Sequence, residues 1–219
     1  MPTLIWDLPT RLFHWVLAAL VAFSWWSAEE GQLDWHKLSG FAIAGLLVFR
    51  LWWGVAGSST ARFGGFVKGP AGVMAYLKGG AAGAPGHNPL GGWSVIAMLL
   101  VLIAQVGLGL FAINDDFEGG PLTKYVDYDT GLAIAEWHET LFNVLLGLIV
   151  LHLLAIGFYA ARRKNLVGPM ITGRGAVPEG VTAPTFAPLW RLLVGLALSG
   201  GTFAVLWWLE KQGSPAMGF

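Results

Sequence analysis

Long apolar stretches alternate with short polar ones along the chain, and five of the apolar stretches reach membrane length. They run over about residues 10–28, 35–57, 91–114, 132–161 and 190–209. A helix rises ~1.5 Å per residue, so each can cross a hydrocarbon core of about 30 Å. Apolar runs this long predict helices rather than strands. Arg50 interrupts the second, and the third carries no charge at all. Residues 58–89 are rich in Gly, Ala and Pro, which predicts an irregular loop with a short surface helix around 71–78. A linker over 173–188 leads to the fifth span. The expected organisation is one membrane domain over 1–174, carrying four spans, followed by a linker and an extra transmembrane helix over 175–219. The first span lacks a basic leader and a small-residue cleavage site and contains His14, so it reads as retained rather than cleaved.

Composition sharpens this picture. Of 219 residues, 55% are hydrophobic and only 12% charged, whereas a soluble domain carries about 25% charged residues. The 12 Trp suit a chain with two membrane interfaces. Trp15, Trp25, Trp26, Trp52 and Trp53 read as belt residues of those interfaces. Cysteine is absent, which removes disulfides, iron–sulfur clusters, thiolate zinc sites and thioether-linked haem. The net charge of zero conceals a polarity. With the N-terminus inside, Arg11, Arg50, Arg62, Lys68, Lys78, Arg162, Arg163, Lys164, Arg174 and Arg191 are cytoplasmic, against Lys37, Lys124 and Lys211 on the other side. Ten against three is a positive-inside bias, and with five spans it puts the C-terminus on the outer side. Of the acidic residues only Asp7 and Glu179 fall inside, which leaves the outer face acidic.

Four histidines fall within these spans. His138 and His152 lie fourteen residues apart on span four. Fourteen steps of about 100° make almost four whole turns, so they share a face with a rise of ~21 Å. Ionisable groups inside spans are costly and usually functional. By depth, His36 at the outer end of span two matches His138, and His14 near the inner end of span one matches His152. A neutral imidazole is a good axial ligand for haem iron, and two from facing helices can hold a flat macrocycle in a bundle core. Such ligation leaves no open coordination position, so the chemistry is electron transfer. The alternative for each residue is a hydrogen-bonded packing histidine or a small wet cavity. Zinc or copper would need three or four ligands close together, which the ~21 Å step on span four opposes.

Other residues are weighed beside these. Ser39 and Gly40 follow His36 by three and four positions, on its face, where small residues leave room for a flat ring or for a neighbouring helix. Arg50 can pair with a haem propionate or snorkel to the interface. Arg11 and Arg62 are further propionate candidates, or topology signals. His87, in Pro85-Gly86-His87-Asn88-Pro89, sits in a turn. It reads as a loop histidine bonded to backbone, or as a neighbour of a quinone pocket or the inner haem.

With these residues named, the chain resembles the bacterial di-haem cytochrome b family, the group of cytochrome b-561 and the b-type cytochrome subunit of nickel–iron hydrogenase. The resemblance spans about residues 4–174. It rests on Trp6-Asp7-Leu8-Pro9-Thr10-Arg11-Leu12-Phe13-His14-Trp15, Phe49-Arg50-Leu51-Trp52-Trp53-Gly54 and Ala61-Arg62-Phe63. Gly86-His87-Asn88-Pro89-Leu90-Gly91, Trp137-His138-Glu139, Asn165-Leu166-Val167 and Met170-Ile171-Thr172-Gly173 extend it. The resemblance implies a four-helix transmembrane bundle holding two b-type haems, with histidine ligands from spans one, two and four. It agrees with the pairing reached from depth. It also implies electron exchange between the quinone pool and a periplasmic partner such as a hydrogenase or a c-type cytochrome. The fifth span is additional to the four-helix members.

The functional expectation is therefore a haem-bearing electron-transfer cytochrome b of the bacterial inner membrane. Its expected partners are the lipid membrane, quinone and a periplasmic electron-transfer protein, with no nucleic acid; self-association into a homo-oligomer stays open. Two rival readings remain beside it. One is a stand-alone quinone reductase fed by a small donor such as superoxide. The other is a non-redox transporter or sensor anchor that uses its histidines for protons.

Overall fold

The computed structural model describes residues 3–79, 86, 88–175, 177 and 183–212. His87 and residues 176 and 178–182 of the linker, Glu179 among them, lie outside the described residues. The elements in chain order are β1 (Thr3–Leu4), α1 (Leu8–Glu29), α2 (Leu33–Ala56), α3 (Phe63–Phe66), α4 (Pro70–Leu77) and α5 (Pro89–Gly109). A 3-10 turn (Thr123–Tyr125), α6 (Tyr128–Ala161), α7 (Val167–Thr172), β2 (Arg174–Gly175) and α8 (Leu189–Lys211) follow. Five of these, α1, α2, α5, α6 and α8, are long and apolar enough to cross a membrane. They coincide with the five expected spans, and α4 takes the place of the expected surface helix.

Two boundaries differ from the hydropathy reading. The third span was expected to reach Asn114, but α5 stops at Gly109. Leu110, Phe111 and Ala112 still donate back to Val106 and Leu108, but the Leu110 and Ala112 carbonyls and the Ile113 N–H bond outside the helix. Leu122 N–H donates to the Leu110 carbonyl, Gly120 N–H to Ala112, and Ile113 N–H to Gly131. Asn114 Oδ1 accepts from the backbone N–H groups of Asp116 and Glu118, closing a turn that competes with the helix. The fourth span begins earlier than expected. Asp127 caps α6 by accepting the Thr130 N–H at 2.9 Å and the Thr130 hydroxyl at 2.8 Å.

The described chain forms two compact units. The first comprises Met1–Trp15, Phe49–Met98 and Leu148–Leu196. Within it β1 and β2 pair antiparallel, Thr3 opposite Gly175 and Leu4 opposite Arg174. The Ile5 and Trp6 N–H groups both donate to the Gly173 carbonyl. Gly173 ends α7 at φ 80°, and a side chain there would also meet Leu4 and the Trp6 carbonyl, so glycine is required twice over. Asp7 binds this unit together. Its Oδ1 caps α1 through the Thr10 N–H at 2.9 Å, and its Oδ2 accepts the Trp53 indole N–H at 3.0 Å. Trp53 is 2% exposed and stacks on Phe49. It is therefore an interior residue, which corrects the belt reading: a buried polar group, Asp7, holds its N–H. Trp52 is half-buried and donates to the Arg191 carbonyl at the start of α8.

The second unit comprises Val16–Val48, Leu99–Gly147 and Ala197–Phe219. Its core joins Phe41 and Ala44 of α2 to Leu206 of α8, with Val106, Leu110, Phe203 and Leu209 packed around them. A Cβ on Gly45 would come within 2.7 Å of the Ser199 carbonyl, so α2 and α8 are in backbone contact there.

Candidate functional site

His36 and His138 meet in the second unit. The His36 Nδ1 lies 2.9 Å from the Ser24 carbonyl of α1, and the His138 Nδ1 lies 2.9 Å from the Gln105 carbonyl of α5. A carbonyl only accepts, so each Nδ1 carries its proton as a donor, and in a neutral ring each Nε2 is left with a free lone pair. This second layer of bonds is what orients metal-ligating histidines. The ring centres are 5.9 Å apart and the planes 85° to one another. Two imidazoles that share one metal atom through bonds of about 2 Å place their ring centres roughly 6 Å apart.

Both rings line a cavity of about 260 Å³, together with Gly40, Phe142 and Leu145. Glycines clear the space. Gly40 has nothing within 4 Å of where a Cβ would stand, and a Cβ on Gly109 would press to 2.9 Å from His138 Cε1. Ser39 does not share this role, because its hydroxyl turns back to the His36 carbonyl. The Gln105 Oε1 is buried at the cavity with no hydrogen-bond partner.

His14 and His152 meet in the first unit, on α1 and α6, with ring centres 6.5 Å apart and planes at 51°. The spacing again suits two rings facing one metal atom. His14 Nδ1 is buried without a hydrogen-bond partner, as are Thr10 Oγ1, one turn earlier, and Arg11 Nε. Unpartnered buried polar atoms in a row on one helix are costly unless a bound group or water completes them. Arg11 also donates from Nη1 to the Ile171 carbonyl.

Arg50 is 4% exposed, so the snorkelling reading is corrected: its guanidinium lies 4.6 Å from the Phe63 ring centre and donates to the Ala61 carbonyl. Arg62 is exposed at the start of α3. Among the described residues no three His, Cys, Asp or Glu side chains gather at one point, so the three-ligand zinc pattern is not formed by them.

The acceptors that orient the rings were not singled out in the sequence, nor was Gly109. Ser24 and Ser27 in span one, and Gln105 well inside a charge-free span three, are the polar signals that stood nearest to them.

Five membrane-length helices that carry two facing imidazole pairs define a helical membrane protein with paired histidine sites inside its spans. The family model described as prokaryotic cytochrome b561 matches residues 5–173, and the chain belongs to that family. It is an integral membrane b-type cytochrome of electron transfer, and the family implies b-type haem. The donor set fits such a group: imidazoles in facing pairs, and a glycine-cleared cavity at one of them. α8 lies outside the matched residues. Comparison with curated proteins and with solved structures gives no match.

Proposed function

We propose that the chain holds two b-type haems, one between His36 and His138 and one between His14 and His152, and passes electrons between a periplasmic redox partner and the quinone pool. The observation that carries this is the repeated geometry: two imidazole pairs with centres 5.9 and 6.5 Å apart, each pair drawn from two different helices. Bound haem supplies a one-electron iron couple at each pair. The chain supplies the rest. Ser24 and Gln105 fix the tautomers of His36 and His138, and Gly40 and Gly109 keep their cavity clear. Arg11, Arg50 and Arg62 are the cations proposed for the propionates of the His14–His152 site. α6 carries one ligand for each site, at a ~21 Å step along its axis.

The reading places the protein in a bacterial inner membrane, N-terminus cytoplasmic and C-terminus periplasmic, on the ten-to-three distribution of cations. Residues 1–174 form the haem-binding domain in this proposal, and 175–219 an added helix. Quinone exchange falls on the cytoplasmic side, near the His14–His152 site. The acidic periplasmic loops favour a partner with a basic patch. Purification in mild detergent, a reduced-minus-oxidised spectrum and a pyridine haemochrome test the proposal. Two b-type haems per chain, reducible by a quinol, are expected; a chain without a Soret band would end the reading.

A further inference from the structure

α8 lies beyond the family-matched residues, yet it reaches the surroundings of the His36–His138 cavity. Lys37 follows His36 on α2 and lines the same cavity. Its ammonium donates to Glu210 Oε1 of α8 at 2.6 Å, with the two side chains 17% and 23% exposed. Asp34 stands at 4.0 Å, but its carboxylate is fully exposed, so Glu210 is the principal counter-charge. Among the described residues that line the cavity, Glu29, Lys37 and Glu139 are charged, and Lys37 is the cation. Glu29 and Glu139 are exposed, and Glu29 accepts the Trp25 indole N–H at 3.2 Å. Lys37 and Glu210 are mostly withdrawn from water, where a charge is felt more strongly. The packing of Leu206 on Phe41 and Ala44, and the close approach of Gly45 to Ser199, hold α8 in position for this pair.

We propose that α8 acts on the His36–His138 site through Glu210, which neutralises Lys37 and so sets the reduction potential of the group held there. The proposal rests on the haem reading above. Reduction adds negative charge, so an unpaired cation beside the site favours the reduced form and an unpaired carboxylate the oxidised form. A close pair is nearly silent. Glu210→Gln therefore exposes the site to Lys37, and Lys37→Met exposes it to Glu210. The double variant removes both.

The test is a spectroelectrochemical titration of the full chain in detergent, with haem counted in each variant. Glu210→Gln is expected to raise the midpoint of one haem alone, the one that a His138 variant removes. The expected size is at least a threefold change in its reduced-to-oxidised ratio at fixed potential, or about 30 mV at 59 mV per tenfold for one electron. Lys37→Met is expected to lower the same midpoint, and the double variant to return near the parent value. The charge-reversed pair Lys37→Glu with Glu210→Lys guards against misfolding. If Glu210→Gln loses that haem, a lowered midpoint in Lys37→Met together with haem recovered in the reversed pair supports the proposal, and an unchanged midpoint in Lys37→Met or loss in the reversed pair overturns it. Unchanged midpoints with both haems bound overturn the proposal while leaving the haem reading intact. A parent protein without haem contradicts the reading itself.

Discussion

Replacing Gly109 by alanine separates the orientation of His138 from the stability of the helix that flanks it. The new Cβ would stand 2.9 Å from His138 Cε1 and 3.3 Å from its Nδ1. Ordinary contact begins near 3.4 Å, so the ring must retreat by about 0.5 Å. That movement stretches the 2.9 Å bond from Nδ1 to the Gln105 carbonyl towards 3.4 Å, past the normal range for an N–H···O bond. The loss is roughly 0.5–1.5 kcal/mol. Against it stands the smaller conformational entropy that alanine leaves to the unfolded chain, roughly 0.4–1 kcal/mol. The two nearly cancel, so the fold keeps its stability while the ligand is misoriented. Disturbing a partner that orients a metal ligand typically costs 10–100-fold in metal affinity, and about tenfold weaker retention of one haem is expected. Gly107→Ala is the control, because its Cβ would meet nothing within 4 Å on the same helix. Haem per chain after repeated detergent washing, with electron paramagnetic resonance of the oxidised protein, reads the difference. If Gly109→Ala matches Gly107→Ala in haem content and spectrum, the geometric argument is refuted.

Three further outcomes are expected. Asp7→Ala removes the cap of α1, worth about 1 kcal/mol, and leaves the buried Trp53 N–H without an acceptor, worth a further ~1–3 kcal/mol; the thermal midpoint in detergent should fall clearly, and an unchanged midpoint would show that the bond to Asp7 carries little weight. Hydrogen bonds from the Thr130 N–H and hydroxyl hold the Asp127 carboxyl below the usual carboxylate range. A depressed folded value means the cap contributes fully above the unfolded value of about 3.9 and is lost as pH falls through the folded one. Protection of the Thr130 amide from hydrogen exchange, corrected for intrinsic rate, should therefore drop below about pH 4, and Asp127→Asn should abolish that pH dependence. Finally, the association rate with a basic c-type cytochrome as probe should fall steeply with ionic strength, as expected for an acidic docking face; a rate indifferent to salt would remove that face from the account.

Much of the architecture was legible because transfer energy alone fixes where a chain can cross a membrane. The five spans and the α4 helix follow from runs of apolar residues and from Pro and Gly placement. The two histidine pairs were also legible, since depth on a helix is a matter of counting residues. What hydropathy does not encode is competition for backbone bonds. The apolar run Leu110 to Ile113 continues the helix on any hydrophobicity scale, yet the Asn114 turn and the bond from Ile113 to Gly131 end it. Trp53 was misread for a related reason: an indole at a span end looks interfacial until a buried partner is supplied, here Asp7, and the same kind of partner, the Ala61 carbonyl, removes the snorkelling alternative for Arg50. The acceptors that orient His36 and His138 are backbone carbonyls, which every residue possesses, so no residue type announces them.

The most direct test of the two-site account is haem content in four single variants, His36→Leu, His138→Leu, His14→Leu and His152→Leu, each purified as the full chain. The account predicts that each retains one haem. The first two should keep the same haem by spectrum and midpoint, and the last two should keep the other. A His36 variant and a His138 variant that retain different haems, each with full occupancy, would contradict the pairing on which the proposed function stands.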